Sequence, residues 1–444
     1  MDQRSLYTPL KEEGLTTLII RYDYKTGKDY MTAAKEWEKD IRWEDYGKTF
    51  YTESLLTRDD IRLNDAQTRQ LFRKYGLEDY LEEVLDLLRA GKYFGLDCYY
   101  NAQKDWRFTA NIHTYRLGHH NFEHCIYTGG IRRHEKDEPE IDVLIDGLNL
   151  ARAESHKHVM AGLHYGGGKI TVQAEQVNLE AKDELGFLAY ALDKVRFFTG
   201  PDMRYPVELA DVLTQYTPYI NGGTVNNPIG ASGDPTAWGT EAAMKEAAEF
   251  LWGSPSLKGR TVAVMGLGAV GFPQAGYLIQ DGAQLIVADP DHSRIDALRE
   301  MYPDAGIREA APEEILSVRA DILCPCAIGG ILDAQAIDRL NVAMVFGAAN
   351  NQLAAKTIEE EIALADRIAA RGILYEECWV HNIGGVISGA VMHTDGEKAD
   401  RAALMERVKE TCASKTRENL REAKEKGITP TQNAYEKVES LIYE

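Results

Sequence analysis

The sequence predicts an α/β protein of two domains, one of them a doubly wound parallel sheet, behind an N-terminal extension. Three observations predict it. From about residue 239 onward short apolar strand patterns alternate with helical ones, the mark of a parallel sheet covered on both faces. The first of these strands ends in Gly266-Leu-Gly268-Ala-Val-Gly271, the glycine spacing of a dinucleotide-binding turn. A loop rich in turn formers, Tyr219 to Trp238, separates this region from an earlier set of strands and helices.

The predicted domains are an extension at 1–100, an α/β substrate domain at 101–238, a Rossmann domain at 239–385, and C-terminal helices at 386–444 that fold back on the substrate domain. At 444 residues there is enough chain for two or three cores. A formal net charge of −20 argues against a nucleic-acid footprint. Six cysteines in this length form no dense disulfide framework and suit a reducing compartment, so the expected location is cytoplasmic. Neither a secretory leader nor an apolar run long enough to span a membrane is evident, and a membrane partner is not expected.

Along the chain, Asp65 to Ala90 carries apolar residues at helical spacing: Leu71, Phe72, Tyr75, Tyr80, Leu81, Val84, Leu85 and Leu88. Tyr93–Tyr100, Arg107–His113 and His124–Thr128 read as short strands. Ile141–Ala153 and Asp183–Phe198 read as helices. The loop holding Asn221-Gly-Gly, Asn226-Asn-Pro and Gly233-Asp-Pro is the candidate hinge, and Gly239–Trp252 reads as an amphipathic helix. Strands follow at Arg260–Met265, Gln284–Ala288, Ile322–Cys324 and Met344–Phe346, with helices from about Ala269 and near Ser293. The charged segment from Lys398 reads as one long amphipathic helix.

The glycine turn has its context. The strand Thr261–Met265 runs into Gly266, and a helix-compatible run follows. Glycines there permit a tight turn and close approach of backbone to a pyrophosphate at a helix N-terminus. The next strand ends in Asp289, 23 residues past Gly266. A carboxylate there accepts hydrogen bonds from ribose hydroxyls and repels a 2′-phosphate, which favours NAD. The cofactor-binding candidates from this motif are Gly266, Gly268, Ala269, Val270, Gly271 and Asp289.

A second constellation precedes it. Lys157 and Lys169 lie twelve residues apart around Gly166-Gly-Gly168, and Asp202 follows 33 residues after Lys169. A lysine beside glycines can approach a ligand closely. Two ammonium groups in one site depress one another's pKa, and a depressed lysine can serve as a base or relay near neutral pH. A carboxylate beside it can shuttle protons.

These pieces, in order over roughly residues 107 to 395, resemble the glutamate/leucine/phenylalanine/valine dehydrogenase family. The matching motifs are Thr128-Gly-Gly-Ile-Arg132, Lys157 with Ala161-Gly-Leu-His-Tyr-Gly-Gly-Gly-Lys169, Gly200-Pro-Asp202, Ser232-Gly-Asp-Pro-Thr236-Ala-Trp-Gly239, the Rossmann glycines, Pro325-Cys-Ala327, Gly347-Ala-Ala-Asn-Asn-Gln352 and Asn382-Ile-Gly-Gly-Val386. The resemblance implies that Lys157 holds the substrate α-carboxylate, Lys169 activates water, and Asp202 moves protons at the amine. It implies that Thr236 and Asn350 contact the nicotinamide end, and that Cys326, Ala327 and Asn382 join the cofactor site. The implied reaction is reversible oxidative deamination: amino acid, NAD and water give 2-oxo acid, ammonia and NADH. A homo-oligomer is expected as well.

The pocket departs from the glutamate pattern. Glutamate enzymes carry a lysine just before the Gly129-Gly130 pair, where this chain has Thr128. They carry a serine three residues after Val386, where this chain has Gly389. With Gly129, Gly130 and Val386, these positions imply a roomy pocket for an apolar, bulky side chain. Arg204 is a possible replacement cation or a surface charge. Cys324-Pro-Cys326 lacks the second pair of a zinc site, and no metal is expected. Two rivals remain: a dehydrogenase on the same scaffold for glutamate, a β-amino acid or a hydroxy acid, and an inactive regulatory homologue.

Overall fold

The computed structural model describes residues 4–46, 56–114, 127–225 and 227–443. The chain forms two compact units. The first holds the chain up to Ser155 and His164–Asn227; the second holds His156–Leu163 and the chain from Pro228. The division thus falls within the turn-rich loop, and the last turns of one helix count with the second unit.

The first unit contains α1 (Thr8–Glu13), β1 (Thr17–Asp23), β2 (Lys28–Lys35), β3 (Ile61–Leu63), α2 (Asp65–Lys74), α3 (Glu78–Ala90), β4 (Gly95–Asn101), β5 (Trp106–Ile112), β6 (Tyr127–His134), α4 (Glu140–Ala161), β7 (Gly166–Gln173), α5 (Lys182–Val195), β8 (Phe197–Pro201) and α6 (Glu208–Leu213). Its strands form one sheet in the order β3-β2-β1-β4-β5-β7-β6-β8. The β7-β6-β8 edge is parallel and the rest antiparallel.

The first hundred residues differ from the expectation of a separate extension, because they supply β1–β4 of this sheet. The reason is burial on both faces. Leu96, Cys98 and Tyr100 of β4 pack into a core with Leu81, Val84 and Leu85 of α3, while Tyr99 packs into a second core with Trp37, Phe187 and Tyr190. The period of two in a strand sends alternate residues to opposite cores. The helical pattern over 65–90 is two helices rather than one, broken at Gly76, whose φ of 64° suits glycine. Of the strand expected at 124–128, residues 124–126 lie outside the described residues, and β6 starts at Tyr127.

The second unit contains α7 (Gly233–Trp252), β9 (Thr261–Met265), α8 (Gly271–Gln280), β10 (Gln284–Ala288), α9 (His292–Met301), β11 (Ile307–Glu309), β12 (Ile322–Pro325), α10 (Ala334–Arg339), β13 (Met344–Val345), α11 (Ile358–Ala370), β14 (Leu374–Tyr375), α12 (Cys378–His381), α13 (Gly384–Asp395), α14 (Arg401–Lys426) and α15 (Pro430–Tyr443). Its sheet runs β11-β10-β9-β12-β13-β14, parallel throughout. Strand order reverses between β9 and β12, and ligands of open α/β sheets bind beyond the strand ends at such a reversal.

The C-terminal helices belong to this second unit, not to the substrate domain as expected. The physical reason is at Gly239 of α7: a Cβ there would lie 2.5 Å from Cys412 Sγ and 2.8 Å from Val408 Cγ1 of α14. The bare glycine lets the two helices close on one another. The expected single C-terminal helix is two, because Gly427 caps α14 at φ 69° and Pro430 opens α15. No described helix is long and apolar enough to cross a membrane.

Candidate active site

Three parallel strands bring one lysine and one aspartate together in the first unit. Gly130 sits in β6, between β7 with Lys169 and β8, whose end leads into Asp202. In the register, Ile131 faces Ile170 and Gly130 faces Gly200, so Lys169, Gly130 and Asp202 share one face. Gly130 presents no side chain, and Lys169 reaches across it. A Cβ there would lie 2.8 Å from Lys169 Nζ and 2.9 Å from Asp202 Cβ. Lys169 Nζ donates to Asp202 Oδ2. Lys169 is buried, while Asp202 keeps about a third of its side chain exposed, at 32 %.

A second cation holds the same oxygen. Arg132, two residues beyond Gly130 on β6, places Nη2 3.3 Å from Asp202 Oδ2. Its Nη1 grips both oxygens of Asp146 on α4, at 3.0 and 3.1 Å. Burial alone would raise the Asp202 pKa, but the charges of Lys169 and Arg132 outweigh it and hold the carboxyl well below the usual range. Asp146 is lowered too: burial raises it, but the His134 hydrogen bond and the Arg132 charge prevail. His134 places Nε2 3.4 Å from Asp146 and Nδ1 2.7 Å from Glu138.

Arg132 and Asp146 are the site residues that sequence reading missed. Arg132 had a readable signal, the strand period that puts it on the face of Gly130. Asp146 had none, being one acid among several on a helix. Arg204, the possible replacement cation, pairs with Glu138. Gly167 and Gly168 of the glycine run lie against neighbouring elements. They admit close packing: a Cβ on Gly167 would meet Ser155 Oγ of α4 at 2.0 Å, and one on Gly168 would meet Phe197 at 2.5 Å. Gly129 O accepts a hydrogen bond from Thr199 Oγ1, and Thr128 lies beside it in β6.

In the second unit Lys157, on the last turns of α4, is buried and donates to Asn350 Oδ1 at 2.9 Å. Asn382 Nδ2 donates to the same oxygen at 2.9 Å and to Ala348 O at 3.0 Å. Thr236 on α7 donates to Ser232 O, and a Cβ on Gly385 would stand 3.4 Å from its Oγ1. Val386 is half-buried in α13, and a Cβ on Gly389 of that helix would meet nothing within 4 Å.

The glycine turn lies at the end of β9, beside the end of β12. Gly266 has φ 92°, and its Cβ would come within 2.7 Å of Ala327 Cβ; that of Gly271 would come within 1.9 Å of Gly266 O and 3.0 Å of Cys326 Cβ. Gly268 stays open and Ala269 and Val270 lead into α8. Asp289 Oδ2 accepts from Leu267 N at 2.7 Å, which ties the turn to the end of β10, and Arg294 Nη1 lies 3.5 Å from it. A bare-backbone turn at the N-terminus of a ten-residue helix, with a carboxylate on the next strand, fits a dinucleotide. The Cys324 and Cys326 thiols are free, 3.6 Å apart.

The Rossmann turn of one unit and the lysine–aspartate pair of the other are the parts of an amino-acid dehydrogenase, an oxidoreductase, and the relatives of the chain are of that class. No family model matches the chain. Among known proteins it is 35 % identical over 259 residues to a valine dehydrogenase of Streptomyces albus, covering 56 % of this chain and 68 % of that one. To a leucine dehydrogenase of Bacillus subtilis it is 35 % identical over 270 residues, covering 59 % and 70 %. In structure it is similar to the L-tryptophan dehydrogenase of Nostoc punctiforme, with a TM-score of 0.62 at 26 % identity, over 81 % of this chain and 98 % of that one. The chain belongs to the glutamate/leucine/phenylalanine/valine dehydrogenase family.

Proposed function

We propose that this enzyme catalyses the reversible, NAD-dependent oxidative deamination of an L-amino acid with an apolar, bulky side chain, giving the 2-oxo acid and ammonia. The Lys169–Asp202 pair held across Gly130 carries this reading. Bound NAD supplies the hydride acceptor. The protein residues do the rest. Lys157 pairs with the α-carboxylate. Asp202 takes a proton from the substrate ammonium, which frees the nitrogen lone pair that drives hydride loss from the α-carbon. Lys169, after losing its own proton to solvent, takes one from the water that attacks the resulting imine. Asp202 then returns a proton to the amine, which leaves as ammonia while the carbinolamine hydroxyl loses its proton to solvent and becomes the 2-oxo group. Thr236, Asn350, Asn382, Cys326 and Ala327 serve the nicotinamide side, and the glycine turn with Asp289 serves the pyrophosphate and ribose.

The side-chain preference rests on charge. Thr128 offers no cation, Arg204 is engaged by Glu138, and Arg132 is engaged by Asp202 and Asp146. An acidic side chain would bury an unpaired charge, which is expensive. The open space at Gly389 suits bulk. The valine, leucine and tryptophan dehydrogenases it resembles support the same direction. A cytoplasmic homo-oligomer goes with this reading.

The test is a pair of variants. Lys169→Ala and Asp202→Asn should each lower kcat about 10²–10⁴-fold, the usual cost of a lost general acid or base, while NADH still binds. Near-normal turnover by the Lys169 variant would sink the proposal.

A further inference from the structure

We propose that Arg132, gripped by Asp146, is the positioning residue that fixes the working orientation of Asp202, turning Oδ2 inward and leaving Oδ1 for the substrate nitrogen. The inference rests on the proposed reading of Asp202 as the proton carrier.

One oxygen of Asp202 takes both cations. Lys169 and Arg132 both donate to Oδ2. Among the described residues Oδ1 receives no side-chain donor, and the Met203 backbone N–H adds a hydrogen bond to the same carboxylate. A carboxylate held by one oxygen alone can rotate about its Cβ–Cγ bond. Two cations from adjacent strands converging on that oxygen stop the rotation. Arg132 can do this only if it is itself fixed, and a strand side chain of its length has several rotamers. Asp146 removes that freedom by taking Nη1 with both oxygens, which leaves Nη2 aimed at Asp202. Asp146 is in turn faced by His134, which Glu138 holds from the other side. The line from Asp202 outward is thus Arg132, Asp146, His134, Glu138 and Arg204, with charge alternating wherever the groups are ionised.

The same arrangement sets a proton-transfer property. The charged groups facing Asp202 are Lys169 from β7 and Arg132 from β6; Asp146 of α4 and His134 of β6 stand behind Arg132. Removing the Arg132 charge leaves the half-buried Asp202 with one cation instead of two, so its pKa rises. The acid limb of the pH–rate profile then moves to higher pH, because Asp202 must be ionised to accept the amine proton.

The experiment measures kcat, KM and the pH profile of the wild type, Arg132→Met, Arg132→Lys and Asp202→Asn, on the amino acid the wild type oxidises fastest. Circular dichroism and NADH binding serve as checks of folding. Arg132→Met should lose about 10²-fold in kcat, the scale of a misplaced catalytic group, with KM nearly unchanged and the acid limb moved up in pH. Arg132→Lys, which restores the charge without the fork, should bring the limb back toward wild type and recover part of kcat. An acid limb that superimposes on the wild type in a folded Arg132→Met overturns the inference, as does a loss confined to KM. If that happens while Asp202→Asn is inactive, only the role of Arg132 fails. If the wild type oxidises no amino acid, the reading of the site fails and takes this inference with it.

Discussion

Gly130 is the residue on which the pair depends. Its missing side chain is the space that Lys169 crosses to reach Asp202. Gly130→Ala would put a methyl group 2.8 Å from the ammonium and 2.9 Å from Asp202 Cβ, closer than packed atoms sit. The variant should fold, bind NADH normally, and lose activity by about 10²-fold through displacement of the pair; wild-type kcat would show that the pair need not be closed over this position. At the proposed cofactor end, Asp289 is the carboxylate assigned to the ribose, with Arg294 3.5 Å away. Asp289→Ser removes the charge that opposes a 2′-phosphate and leaves Arg294 unpartnered at that carboxylate, so the ratio of NAD to NADP activity should fall. Equal use of the two cofactors by the wild type would contradict the ribose argument. At this scale part of the candidate site is legible: residue type and spacing single out Lys169 and Asp202, which the structure brings into contact, and the turn glycines, while the role of Lys157 is a proposal. Asp146 could not, because an acidic residue on a helix face has the same sequence appearance whether it is solvated or grips an arginine.

At the scale of elements, legibility followed periodicity. The parallel strands of the second unit read as short apolar runs because both faces of their sheet are covered. Strands β1 and β2 went unread although Gly27, at φ 66°, turns the chain between them. Their burial is mixed, and polar residues such as Lys28, Asp29 and Thr32 mask the pattern. Periodicity does not show helix ends where a glycine stops one helix and a neighbour begins another, as at Gly76 and Gly427. The α7–α14 crossing offers a test of packing. Gly239→Val would drive two methyl groups toward Cys412 and Val408, where a single Cβ is already too close. Overpacking of this kind costs roughly 1–3 kcal/mol, so thermal unfolding should show a Tm lower by several degrees. An unchanged Tm would mean that α14 shifts away freely and that the glycine is not what sets the approach.

For the molecule as a whole, the amino-acid dehydrogenase assignment and the two-domain α/β fold stand on sequence and structure together. The identity of the side chain accepted is the central claim that goes further. It rests on Thr128, on the engagement of Arg204 and Arg132 by acids, and on the room at Gly389. Gly389→Val should shift preference toward smaller side chains by filling that room, and an unaltered order of substrates would place Gly389 outside the pocket. The most direct measurement is the loss of NADH absorbance with ammonia and a panel of 2-oxo acids spanning small apolar, branched, aromatic and acidic side chains. Ammonia-dependent NADH oxidation should be fastest with bulky apolar or aromatic 2-oxo acids and slow with 2-oxoglutarate. Fastest turnover with 2-oxoglutarate, or NADH loss that does not require ammonia, would contradict the claim.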